Sequence, residues 1–255
     1  MTARLGAALI AASTVTLAAG AGGALAAGDI PASPNTTATL TVGSDFTDGT
    51  YEVPRDIDWY RVTLKAGEDY AVAVGLYRDS QASIIAPDGG TVLARSVPDG
   101  DGAALTLGAE FRAPKDGTYF VEAYQRYPQL PGSSPYIVRV SSDCRGNATT
   151  TCQLKPGVTR NALTAFGSDV DWYRVSLERS RLYDIRLAWT DSGRSTFVNL
   201  VDAKGRVLVK SVNDGTTGRI IRGFRPPRDG VFYVQTQPNH GDIGAYALTL
   251  TRRSR

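Results

Sequence analysis

Two pairs of aspartates stand where chemistry could be done. Asp56 and Asp58 flank one residue in Asp56-Ile57-Asp58-Trp59-Tyr60, and Asp169 and Asp171 do the same in Asp169-Val170-Asp171-Trp172-Tyr173. Closely spaced carboxylates are hard oxygen ligands, and calcium takes about six to eight such oxygens. The same side chains also cap tight turns by accepting hydrogen bonds from backbone N–H groups. Capping is the simpler reading of these residue types, and more so for the second pair.

Catalytic chemistry has less to stand on. A Ser-His-Asp relay needs a histidine within reach of a serine, and the single histidine, His240, lies in the loop-like string Pro238-Asn239-His240-Gly241-Asp242. There is no Gly-x-Ser-x-Gly elbow and no His-Glu-x-x-His, and the cysteines number two. A working pair of acids must face each other across a cleft, which a sequence does not place. No catalytic residue is assigned, and the chain is read as a non-enzyme.

The elements that must position the aspartates come in duplicate. Asp56 to Val62 returns as Asp169 to Val175, and Phe111-Arg112-Ala113-Pro114-Lys115-Asp116-Gly117 returns as Phe224-Arg225-Pro226-Pro227-Arg228-Asp229-Gly230, both at a shift of 113 residues. A shift that long marks a duplicated domain; solenoid repeats run to about 20–50 residues. Within each copy apolar residues alternate with polar ones: Tyr60, Val62 and Leu64, then Tyr70, Val72 and Val74, then Tyr119, Val121 and Ala123, then Tyr136, Val138 and Val140. The second copy offers Tyr173, Val175 and Leu177, then Tyr183, Ile185 and Leu187, and finally Tyr246, Leu248 and Leu250. A period of two means half-buried strands, and Gly/Asp-rich strings between them mean turns. The predicted fold is all-β: two tandem antiparallel β-sandwich or jelly-roll domains. We place them at residues 37–143 and 153–252, after a linker at 27–36, with a connection at 144–152.

The ends and the cysteines indicate a compartment. Arg4, the apolar run Leu5–Leu17 and Ala24-Leu25-Ala26 read as a signal peptide over residues 1–26, so the mature protein is expected to be extracellular, with no membrane span. In an oxidising compartment Cys144 and Cys152 are expected to form a disulfide across the connection. Charge is unevenly split. Residues 34–143 hold 15 acidic and 9 basic side chains, whereas 144–255 hold 9 acidic and 18 basic, within a net charge of +3. The arginines of the second half could meet an anionic envelope polymer, which is read as the partner in preference to nucleic acid. Tyr124, Tyr127 and Trp189 are candidate exposed aromatics for holding an extracellular protein or a glycan. Trp59 and Trp172 are read as packing residues.

Taken together, Asp-x-Asp-Trp-Tyr-Arg-Val-x-Leu, Ala86-Pro87-Asp88-Gly89, Ala113-Pro114-Lys115-Asp116-Gly117-Thr118-Tyr119 and Tyr136-Ile137-Val138-Arg139-Val140 resemble the bacterial pre-peptidase C-terminal domain, and both halves share the likeness. The resemblance implies a compact, non-catalytic β-sandwich of secreted bacterial proteins, often appended to a peptidase. Some members bind calcium and a protein substrate, with ligands from this motif and the segment before it. Here that segment supplies Asp45, Asp48 and Glu52 in the first half and no carboxylate over Val158–Ser168 in the second. A calcium site is therefore expected in the first domain, at Asp45, Asp48, Asp56 and Asp58. No peptidase sequence accompanies the two modules, so the alternative to a binding module is a structural partner of a separately encoded peptidase.

Overall fold

The computed structural model describes residues 29–75, 80–96, 106–125, 134–166, 169–189, 196–215, 218–239 and 244–253. The predicted signal peptide, Tyr127 and His240 lie outside the described residues. Seventeen strands and no helix make up the regular structure among them.

Eight strands build the first sandwich: β1 (Thr47–Tyr51), β2 (Ile57–Leu64), β3 (Asp69–Gly75), β4 (Ser80–Ile85), β5 (Val92–Arg95), β6 (Thr106–Arg112), β7 (Gly117–Gln125) and β8 (Ser134–Ser142). One sheet has the order β2-β7-β4-β5 and the other β1-β8-β3-β6, and every pairing is antiparallel. The second sandwich holds β9 (Thr159–Thr164), β10 (Asp171–Leu177), β11 (Tyr183–Trp189), β12 (Thr196–Val201), β13 (Val207–Lys210), β14 (Val212–Asn213), β15 (Gly218–Phe224), β16 (Gly230–Pro238) and β17 (Gly244–Arg252). Its sheets are β10-β16-β12-β13 and β9-β17-β11-β15-β14, the same order strand for strand with one short edge strand added.

The alternation explains the layering. Tyr60, Val62 and Leu64 on β2 and Tyr119, Val121 and Ala123 on β7 meet Tyr70, Val72 and Val74 on β3 and Tyr136, Val138 and Val140 on β8 in one buried cluster. The counterparts Tyr173, Val175, Ile185, Leu187, Tyr246 and Leu248 form a second. The exposed side of each Asp-x-Asp strand is bordered by the segment that enters its domain. Leu40 donates its N–H to the Arg61 carbonyl and Leu154 donates to that of Arg174, each beside a parallel bridge. Covering an edge in this way removes a row of unpaired backbone groups.

One strand departs from the alternating expectation. All seven residues of β3 are buried, whereas β11 alternates between buried and more accessible positions. The reason is the second sandwich. Ala71 and Ala73 turn away from the first core and pack, with Phe46, against Ala165 and Phe166 at the end of β9. Gly108 on the neighbouring β6 leaves room for the same ring, since a Cβ there would sit 2.1 Å from Phe166 Cδ1. The disulfide between Cys144 and Cys152 forms, with Cα atoms 5.5 Å apart. The Cys144 carbonyl accepts the Trp172 N–H and the Cys152 carbonyl accepts that of Arg174, which ties the closed loop to β10. At the other side Arg145 pairs with the buried Asp69 of the first sandwich at 3.2 Å.

Candidate metal centre

The local fold aims the first Asp-x-Asp pair with a tight turn. Asp56 donates its N–H to the Val53 carbonyl, with Pro54 and Arg55 between them and Arg55 held at a φ of 64°. A non-glycine residue in this left-handed region costs about 1–2 kcal/mol. Asp56 offsets part of that cost by accepting from the Glu52 amide at 2.7 Å and the Ile57 amide at 2.9 Å. The capping geometry is therefore present. It uses one lone pair on each oxygen and leaves the carboxylate able to ligate.

Asp58 lies on β2 with its side chain inside the sandwich and is fully buried. Tyr136 donates to its Oδ2 at 2.5 Å, and the Tyr60 and Tyr136 hydroxyls are 2.7 Å apart. Oδ1 has no hydrogen-bond partner. Burial pushes the Asp58 carboxyl up to about 7, against the lowering effect of the Tyr136 hydrogen bond and with a further rise from Asp56. Burial raises the Tyr60 and Tyr136 phenols as well. The chain of groups recurs in the second sandwich. Tyr246 donates to Asp171 Oδ2 at 2.5 Å and meets the Tyr173 hydroxyl at 2.7 Å. Sequence reasoning missed this network, although the signal was there: both tyrosines of each copy sit at inward positions, where a buried hydroxyl needs a partner.

Around the pair, Asp29, Glu52, Asp56 and Asp58 bring carboxylate oxygens within 4.8 Å of one another. Asp29 comes from the segment ahead of the first strand and Glu52 from the end of β1. Glu52 is raised by partial burial and by its contact with Asp56. Four carboxylates, two of them buried, with one orphaned buried oxygen, fit a hard divalent cation such as calcium. This differs from the expected set. Asp56 and Asp58 are brought together, but Asp45 and Asp48 are exposed residues outside the cluster, and Glu52 and Asp29 stand in their place. β1 runs toward the motif, so Asp45 and Asp48 lie before and at its far end, whereas Glu52 follows its near end.

The aromatic expectations divide. Tyr124 is half-buried on β7, opposite Ile57. Trp189 is not an exposed platform: it is only 8% exposed and packs edge-on against Tyr246 at 5.9 Å within the second core. It occupies the last inward position of β11, after Ile185 and Leu187. Trp59 and Trp172 pack beside Phe120 and Tyr233 at 5.5 and 5.4 Å. Several arginines of the second half carry their own counter-charges. Arg186 and Arg222 share Asp214, each at 2.7 Å, and Arg253 meets Asp184 at 2.9 Å.

Residues 56–125, from the first motif to the end of β7, match the family model of the bacterial pre-peptidase C-terminal domain. The match falls within the first sandwich, from β2 to β7, and the second sandwich repeats the strand order of the first and its Asp-Tyr-Tyr chain. No curated protein matches. Two solved structures show distant similarity. One is a protein of Eubacterium rectale, 8% identical with a TM-score of 0.26, over 77% of this chain and 68% of that one. The other is the major capsid protein P2 of bacteriophage PM2, 10% identical with a TM-score of 0.20, over 82% and 99%.

Proposed function

We propose that this is a secreted, non-catalytic binding protein whose first sandwich is organised by calcium and which holds an extracellular protein. The observation that carries the reading is the cluster Asp29, Glu52, Asp56 and Asp58, with Asp58 Oδ1 buried and unpartnered. A cation there would tie the entering segment to β1 and β2, so it would order the surface around the motif and supply no reaction.

A protein fits as the partner better than an anionic polymer. Three arginines on the second sandwich, Arg186, Arg222 and Arg253, are already met by Asp184 and Asp214. Strands β5 and β13, at matching sheet edges, expose Val92, Leu93, Val207 and Leu208. Apolar edge strands suit a polypeptide that adds a strand or lays an apolar face against them.

The test is thermal unfolding of residues 27–255 in millimolar calcium and in chelator, repeated on Asp56→Asn/Asp58→Asn. A ligand bound only by the folded state at a hundredfold excess over Kd adds about 2.7 kcal/mol. We expect a calcium-dependent rise in the melting temperature that the double variant loses. Coincident melts of the native protein would leave Asp56 as a turn cap and Asp58 as the buried partner of Tyr136, with no metal role for either. Retention of matrix protein on a column carrying the protein, with no retention of envelope polymer, is the expected partner result. Co-purification with one peptidase would favour the structural-partner alternative.

A further inference from the structure

The second Asp-x-Asp motif has a carboxylate set of its own, drawn from both sandwiches. Glu110 lies on β6, on the face of the first sandwich turned toward the second. Asp143 follows β8 at the head of the connection, and Asp169 precedes β10. Oxygens of these three residues lie within 4.8 Å of one another, and the carboxyl of Asp171 meets that of Asp143.

Two of these oxygens are stranded. Asp169 is 2% exposed; its Oδ2 accepts the Ala165 amide at 2.6 Å, but its Oδ1 has no partner. In the first copy the matching oxygen of Asp56 accepts the amide of the next residue. Asp143 Oδ2 is also buried and unpartnered. Nearby guanidinium groups make their direct contacts elsewhere, although the charge of Arg145 still favours the ionised forms of Glu110 and Asp143 and that of Arg139 acts with Asp169. Arg112 forks onto Asp69, which Arg145 also meets, and Arg139 lies 4.1 Å above the Phe46 ring and donates to the Ala165 carbonyl. Among the described residues none of the three forms an ion pair with Glu110, Asp143 or Asp169. Buried carboxylates without a direct ion pair are costly and call for either a proton or a cation. Burial, followed by the neighbouring acids, raises Glu110 to about 7, and burial raises Asp143 to about 6.

We propose that Glu110, Asp143 and Asp169 form a divalent-cation site at the junction, and that the bound ion locks the two sandwiches in one relative orientation. Calcium is the fitting ion. The donors are all oxygen, which disfavours zinc, and a cage of three carboxylates suits the flexible shell of calcium better than the hydrated octahedron of magnesium. This site shares no residue with the one in the first sandwich and does not depend on it.

The test is calorimetric titration of calcium chloride alone into chelator-stripped protein containing both sandwiches. Glu110→Gln and Asp56→Asn/Asp58→Asn are measured beside the native sequence, with Asp143→Asn as the replacement should Glu110→Gln fail to fold. We expect Glu110→Gln to lose one equivalent of calcium, or at least tenfold in affinity for it, while retaining the equivalent that the other variant loses. Small-angle scattering should show calcium narrowing the range of interdomain distances in the native protein and having no such effect in Glu110→Gln. Native stoichiometry and affinity in Glu110→Gln would overturn the junction site and leave the first site standing. Uptake abolished by Asp56→Asn/Asp58→Asn alone would do the same. Uptake abolished by Glu110→Gln alone would support the junction site and remove the first. No uptake by the native protein would remove both.

Discussion

Tyr136 is the residue on which the first site leans. Its hydroxyl donates to Asp58 and meets Tyr60, all three groups being buried. The ring can lie there because Gly49 faces it across the β1–β8 ladder, where a Cβ would stand 2.2 Å from Tyr136 Cζ. Tyr136→Phe should keep the ring packing and strand both partners, at a cost of about 1–3 kcal/mol. Chemical denaturation in chelator and in calcium checks this, with the larger loss expected in chelator, where Asp58 has no other partner. The sequence made part of this site legible. Asp56 and Asp58 stand out by repetition, and Tyr60 and Tyr136 read as inward residues of strands. Asp29 was not legible, because it lies in a stretch whose composition says only linker. Glu52 lay in the right segment but next to two aspartates of equal promise, and only the direction of β1 tells them apart.

At the scale of elements, β3 and β6 show what alternation does and does not disclose. Tyr70, Val72 and Val74 alternate as a one-faced strand should, and they do line the core. The residues between them are alanines, and small residues on an outward face mark a close approach that periodicity alone does not assign to a partner. Here the partner is Phe166, seated over Gly108. Gly108→Ala should cost about 1–3 kcal/mol by overpacking this contact. Phe166→Ala should absorb most of that penalty, so a double-mutant cycle on the two positions should depart from additivity by more than about 0.5 kcal/mol. Additive losses would mean that the two sandwiches do not press on each other in solution. The junction carboxylates were hidden for the same reason. Glu110 belongs to one module and Asp169 to the other, and no local pattern links them.

For the whole molecule, the connection acts as more than a tether. The loop closed by Cys144 and Cys152 is hydrogen-bonded to β10 through both cysteine carbonyls, while Arg145 reaches back to Asp69. Replacing both cysteines by serine should cost roughly 2.5 kcal/mol by the loop-entropy argument. It should also weaken calcium uptake at the junction, because Asp143 adjoins Cys144; melting curves and titration of that variant check the two effects separately. The packing of the sandwiches has one more implication. The first presents the outer face of its β3 sheet to the leading end of the second, so unlike surfaces meet. Such a heterologous contact has no symmetry that closes it, and modules able to repeat it would grow into a filament. The second copy does not repeat that surface. Where the first has Ala71 and Ala73, the matching strand carries Asp184 and Arg186, held in ion pairs with Arg253 and Asp214. Its outer face is polar where that of the first is small and apolar, so it offers no matching seat for a ring such as Phe166.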